Sequence, residues 1–180
     1  MDILIKPAEG NWSSFDDPAP RIAQWENSTG RKLPEDYKKF MSRYDGGRIF
    51  PLIFDRKIPP DVYSMGAPET FLNMFYPWET VAGIWNGEIF DKRTPPDFIV
   101  IGSSPGSVEV VLSLANETYG KIFLWLHSQS DWGACNNNHV WPQEESFRAF
   151  VESLYENDGE EGYDYWYLPG EKGMEKTVGF

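Results

Sequence analysis

The chain has 180 residues, 41% of them hydrophobic and 24% charged, which excludes a disordered chain and suits one domain burying about 70% of its unfolded surface. Its formal net charge of −12 repels phosphate backbones, which argues against direct nucleic-acid binding; the same field would speed association with a basic partner, and acidity for solubility alone is the plain alternative. No apolar run approaches the ~18 residues of a membrane span, no basic-then-apolar leader is visible, and the lone cysteine, Cys135, fits a reducing compartment; a cytoplasmic protein is expected.

The lead-in to Pro20 is irregular. Ile22 and Trp25, spaced i and i+3, predict a short first helix ended by Gly30. The clearest element follows. Tyr37, Phe40, Met41 and Tyr44 recur at i, i+3, i+4 and i+7, with Lys38, Lys39, Ser42 and Arg43 on the wet side. Pro34 suits the first helical position, and Glu35 and Asp36 meet the positive end of the dipole. Asp45-Gly46-Gly47 stops the helix, because glycine takes the left-handed conformation without a Cβ clash.

Ile49 to Phe54 is a short apolar run that Pro51 demotes to an edge strand or extended segment. Lys57 to Pro77, with prolines at 59, 60, 68 and 77, reads as a long surface excursion in which Phe71, Leu72, Met74 and Phe75 make one helical turn. Val81, Ile84, Trp85 and Ile89 fit helical spacing despite Gly83 and Gly87, although a strand stays open as an alternative.

Phe98 to Ile101 is a continuous apolar strand, and Gly102 to Gly106 a turn by composition. Val108, Val110 and Leu112 alternate with Glu109, Val111 and Ser113. Ile122, Leu124 and Leu126 alternate with Phe123, Trp125 and His127, so the two strands form an antiparallel hairpin. Both faces of the second strand are apolar, which calls for helices on one side and an aromatic patch on the other. After a polar, asparagine-rich loop from Ser128 to His139, Pro142 is read as opening a last helix, with Glu144 and Glu145 in its first turn. Its buried stripe is Phe147, Phe150, Val151, Leu154 and Tyr155.

Three places could carry chemistry. Cys135, His139, Asp131 and His127 lack a known metal-ligand spacing and a distant, oriented base for a thiol, so neither a metal site nor a nucleophile is expected. The Gly102–Ser107 stretch lacks the Gly-Lys-Ser/Thr of a phosphate loop. Adjacent acids (Asp16-Asp17, Glu144-Glu145, Glu160-Glu161) lie in turns or first helical turns and read as solvated. What remains is an acidic, aromatic C-terminal run without a basic residue between Arg148 and Lys172. Aromatic anchors rimmed by carboxylates suit capture of a cationic protein. Trp132, Glu156, Asp158, Glu160, Glu161, Tyr163, Asp164, Tyr165 and Trp166 are the candidate partner-binding residues. Packing of the same aromatics onto the sheet remains the plain alternative.

Ile22, Glu26, Leu33-Pro34-Glu35-Asp36-Tyr37, Phe40 and Gly46-Gly47 form a recognisable pattern. It continues through Phe98-Ile99-Val100-Ile101-Gly102, Gly106, Gly120-Lys121-Ile122-Phe123, Trp125, His127, Ser146-Phe147, Phe150 and Leu154. On these residues the chain resembles the SUKH superfamily, which includes fungal cell-wall (glucan) synthesis regulators and bacterial toxin-immunity proteins. The family often has Asn where this chain has Asp45. The resemblance, which spans about Ile22 to Tyr155, implies an α+β fold, a curved and largely antiparallel sheet with helices against it. Length and composition suit one domain over 1–180, with its core at about 20–156 and an acidic aromatic tail at 157–180 that has no family counterpart. The resemblance implies no catalytic residues, cofactor or metal. It implies a non-enzymatic protein-binding module: an immunity protein neutralising a basic toxin domain, a nuclease being one such toxin, or alternatively a regulatory scaffold of the glucan-synthesis type.

Overall fold

The stripe Tyr37, Phe40, Met41 and Tyr44 becomes the buried face of α2 (Glu35–Tyr44) in the computed structural model, which describes residues 3–6, 17–63, 68–156, 175–176 and 179–180. Before it, α1 (Ala19–Thr29) starts at a proline-containing first turn and ends on Gly30 at φ 69°. Glu26 of α1, 6% exposed, ties the two helices. Its carboxylate accepts from Leu33 N (2.9 Å) and pairs with Lys32 (3.0 Å) and Lys38 (3.4 Å). Burial opposes that charge, yet these donors hold the carboxyl below its usual range.

At the end of α2, Asp45 (φ 48°) and Gly46 (φ 79°) turn left-handed. A Cβ on Gly46 would lie 2.6 Å from the Tyr76 backbone, so glycine is required both for the turn and for the close approach. Asp45 Oδ1 accepts from Trp78 N (2.8 Å), which caps α3 (Trp78–Trp85). Among the described residues its buried Oδ2 has no hydrogen-bond donor, and Arg21 Nη2 stands off at 3.9 Å. Burial therefore raises the Asp45 carboxyl. Asp45→Ala is expected to cost about 1–2 kcal/mol by orphaning the Trp78 N–H. Asp45→Asn keeps that acceptor, tolerates the left-handed φ and removes the buried charge. It should match or exceed the parent in urea denaturation at pH 7, with the difference closing in acid as the parent carboxyl protonates.

The strands are β1 (Leu4–Lys6), β2 (Arg48–Phe50), β3 (Ile53–Asp55), β4 (Glu69–Phe71), β5 (Met74–Phe75), β6 (Phe98–Ser104), β7 (Val108–Ser113), β8 (Ile122–Leu126), β9 (Trp141–Glu144) and β10 (Glu175–Lys176). Every pairing is antiparallel, in the orders β10-β1-β2, β3-β4 and β5-β6-β7-β8-β9. A bridge between Gly47 and Phe75 joins the first and third sheets, and one between Ile53 and Tyr155 ties β3 to the chain after α4 (Phe147–Glu152). The buried amide of Gln143 links β9 to β3 by donating to Asp55 O (2.9 Å) and accepting from Lys57 N (3.1 Å). The fold is α+β with a largely antiparallel sheet, as expected.

One face of the large sheet carries Val108, Val110, Leu112, Ile122 and Leu124 against Phe40, Phe147 and Phe150. The described chain end also docks here. Phe180 packs 6.0 Å from Phe147, and Gly179 N donates to the Tyr44 hydroxyl (3.1 Å).

Five local expectations need correction. The lead-in is not irregular throughout, since Leu4–Lys6 form β1 between β2 and β10. The last helix ends at Glu152, so Leu154 and Tyr155 lie beyond it and Tyr155 bridges Ile53 instead. Phe71 to Phe75 do not make a helical turn: Phe71 ends β4 and Met74–Phe75 form β5, because their backbone groups pair with β3 and β6. Gly102 to Ser104 extend β6 past a bulge near Ile101, and only Pro105 to Ser107 turn. Pro142 does not open the last helix. It lies in β9, and α4 begins at Phe147 behind Ser146, whose Oγ accepts from Ala149 N (3.1 Å).

Candidate functional site

The opposite face of the large sheet is the unusual one. Strand alternation sends Val100 of β6, Glu109 and Val111 of β7, and Phe123, Trp125 and His127 at β8 and its end to this side. The expected aromatic patch is present. Ile84 of α3, Phe90, Phe98, Trp132 and Val140 pack over Val100, Val111, Phe123 and Trp125.

Two loops provide most of that cover, and backbone bonds stitch them together. Trp132 N donates to Lys92 O (2.9 Å). Asn137, fully buried, accepts from Trp125 Nε1 (2.7 Å) and donates to Arg93 O (2.8 Å) and Ser130 O (2.9 Å). Phe90 (φ 64°), Asp91 (φ 46°) and Cys135 (φ 52°) hold left-handed conformations that non-glycine residues rarely adopt. Such strain concentrates where loops are shaped for recognition. Asn137→Ala should cost about 1–3 kcal/mol, since it orphans one buried indole N–H and two carbonyls. Hydrogen exchange of the two loops should rise while the β7–β8 amides stay protected.

Beside this cover lies a polar group of three. Glu109, 5% exposed, accepts from the Tyr76 hydroxyl at Oε2 (3.0 Å), and His127 Nε2 stands 3.9 Å from Oε1. Phe90 closes the group, with its ring centroid 5.2 Å from Trp125 and 5.0 Å from His127. Burial pushes the Glu109 carboxyl up to about 7. Burial, and then the charge of Arg93, lowers His127. Although the separation is that of a loose ion pair, both shifts favour the neutral forms. Near pH 7 the imidazole is neutral and the carboxyl about half protonated. The chemistry on offer is proton exchange and cation capture.

Elsewhere, a cleft of about 290 Å³ lies between Trp85, Pro95, Pro96 and Phe98, crossed by the Arg31–Asp97 ion pair. Another, of about 410 Å³, borders the β8–β9 bulge and is rimmed by the Lys57–Glu144 and Lys121–Glu145 pairs. Cys135 is exposed in its loop, and His139 stacks beside Trp141. Among the described residues no group of three or more His, Cys, Asp or Glu side chains is placed to hold a metal, and no helix is long and apolar enough to cross a membrane.

Of the residues singled out by sequence, Trp132 belongs to the aromatic cover. Glu156 is exposed and follows Tyr155, which packs instead on Leu52 and Ile53. The two are not in one cluster. Asp158, Glu160, Glu161, Tyr163, Asp164, Tyr165 and Trp166 lie outside the described residues. Sequence reasoning missed Glu109, Tyr76 and Phe90, and weighed His127 only as a metal ligand or base. The signal was there for Glu109. If the far face of β8 must be covered, an acid on the same face of β7 is covered too.

The family model described as the SMI1 / KNR4 family (SUKH-1) matches residues 20–153. No curated protein and no solved structure matches the chain. The match runs from α1 through α4 and spans both faces of the large sheet. The chain belongs to the SMI1 / KNR4 (SUKH-1) family.

Proposed function

We propose that this SUKH-1 protein is a non-enzymatic binding module acting in the cytoplasm as a bacterial immunity protein, which captures and neutralises a basic toxin domain. The observation that carries the reading is the strained, aromatic cover of the far sheet face in a family member of net charge −12. Aromatics held on loops by a rigid sheet supply anchor area, and the acidic field speeds and orients the approach of a cationic partner. The contact centres on Phe90 and Trp132. The run from Glu156 through Asp158, Glu160, Glu161, Tyr163, Asp164 and Tyr165 to Trp166 adds residues of the same chemistry. A nuclease fits as the toxin, because its active site is built to receive polyanions.

Co-expression with the product of the neighbouring gene tests this. Rescue of growth and recovery of a stable complex are expected, and the complex should form more slowly as salt is raised. Cell death with no complex recovered overturns the immunity reading. A deletion phenotype in cells lacking any toxin would instead favour the regulatory scaffold of the glucan-synthesis type.

A further inference from the structure

We propose that Glu109 is the receptor for a single arginine side chain of the protein partner, seated against the Tyr76 and His127 rings. This rests on the binding reading above and names the chemistry of its central contact.

Glu109 is 5% exposed, and a buried carboxylate normally has several donors or a cation. Among the described residues one oxygen accepts from Tyr76, and the other has only the 3.9 Å approach of His127. Among the described residues no lysine or arginine pairs with it. The groups facing it come from each neighbouring strand. Tyr76 comes from the link between β5 and α3, Ser103 is its cross-strand partner on β6, Trp125 is its partner on β8, and His127 follows β8. Arg93 donates to Phe90 O (2.9 Å) and Gln129 Oε1 (3.1 Å), and its guanidinium lies over the Phe90 ring at 5.5 Å, so that ring is already taken and the incoming cation meets Tyr76 and His127.

A carboxylate short of donors and walled by aromatic rings matches one side chain best. A guanidinium stacks flat on rings and donates to a carboxylate through two parallel N–H groups, whereas an ammonium offers neither geometry. Tyr76 and His127 are half-buried rather than closed over, so the cation enters past their rings. In the free protein the carboxyl is only partly ionised near neutral pH. An arriving guanidinium favours the carboxylate, so association releases a fraction of a proton and tightens from pH 6 to pH 8.

The experiment follows the side-chain carboxyl ¹³C resonance of Glu109 in the full chain, titrated with N-acetyl-arginine methylamide. The citrulline analogue, of the same shape without the charge, is the control. With the arginine probe the Glu109 midpoint should fall by about one pH unit or more at saturation. Citrulline should leave it in place. In Glu109→Gln the arginine probe should no longer perturb Tyr76 and His127. An unmoved midpoint, or equal effects of the two probes, overturns the proposal.

In the complex with the neighbouring-gene product, Glu109→Gln should weaken binding about 30-fold or more and abolish its dependence on pH. If a complex forms and Glu109→Gln leaves its affinity unchanged, the arginine site is wrong and the immunity reading stands. If no complex forms while arginine still moves Glu109, the reverse holds.

Discussion

Replacing Phe147 by alanine is expected to destabilise the protein by about 3–5 kcal/mol and to lower its melting temperature by roughly 6–20 °C. Phe147 is fully buried at the first turn of α4. Its ring lies 5.1 Å from Tyr37, 5.0 Å from Phe40 and 5.1 Å from Phe75. The side chain therefore joins α2, α4 and β5, and the described chain end packs on it through Phe180. Truncation removes these ring contacts and leaves a cavity that cannot collapse, because its walls belong to separate elements. Phe147→Leu fills most of that volume and should cost less than half as much. Thermal melts of the two variants decide it. A loss below about 1 kcal/mol for the alanine would mean that α4 is not anchored on α2 as described.

Legibility from sequence followed the range of the determining forces. Where several local signals coincided, the reading and the structure agree. The α2 stripe, its acidic first turn and its Asp45-Gly46-Gly47 stop all stand, as does the β7–β8 hairpin. α3 forms over Trp78–Trp85 despite Gly83, because burial of Trp78, Val81 and Ile84 outweighs a propensity cost of about 1 kcal/mol. The readings that failed depend on partners distant in sequence. β4 and β5 are two or three residues each, extended only because β3 and β6 lie beside them. β9 takes the proline that looked like a helix start because it pairs on one side with β8 and is linked on the other by Gln143. The candidate site was half legible. An apolar far face on β8 announced a cover, and Trp132 is part of it. That the cover would leave Glu109 beside Tyr76 and His127 depends on how the loops fold back, which no local pattern encodes.

Glu109→Gln should make the isolated protein more stable in alkali, by up to about 3 kcal/mol at pH 8–9. The sign follows from the direction of the shift. Burial raises the Glu109 carboxyl from 4.5 to about 7, so the fold favours the protonated form. The associated stability is fully present below about pH 4.5 and is lost as pH rises through about 7. Glutamine keeps an acceptor for the Tyr76 hydroxyl, fits nearly the same volume and carries no charge to desolvate. Parent and variant should therefore be nearly equal in urea denaturation at pH 4–5 and separate progressively above pH 6. His127 works the other way. Its lowered midpoint makes the fold lose stability as pH falls below 6.5, in both proteins, so their difference isolates Glu109. A gap that does not change with pH would show that the carboxylate is solvated in the native state. A gap that opens as expected, together with weaker partner binding by the same variant, would mark Glu109 as a residue whose stability cost is tolerated for function. Stabilising substitutions at sites shaped for packing alone carry no such penalty.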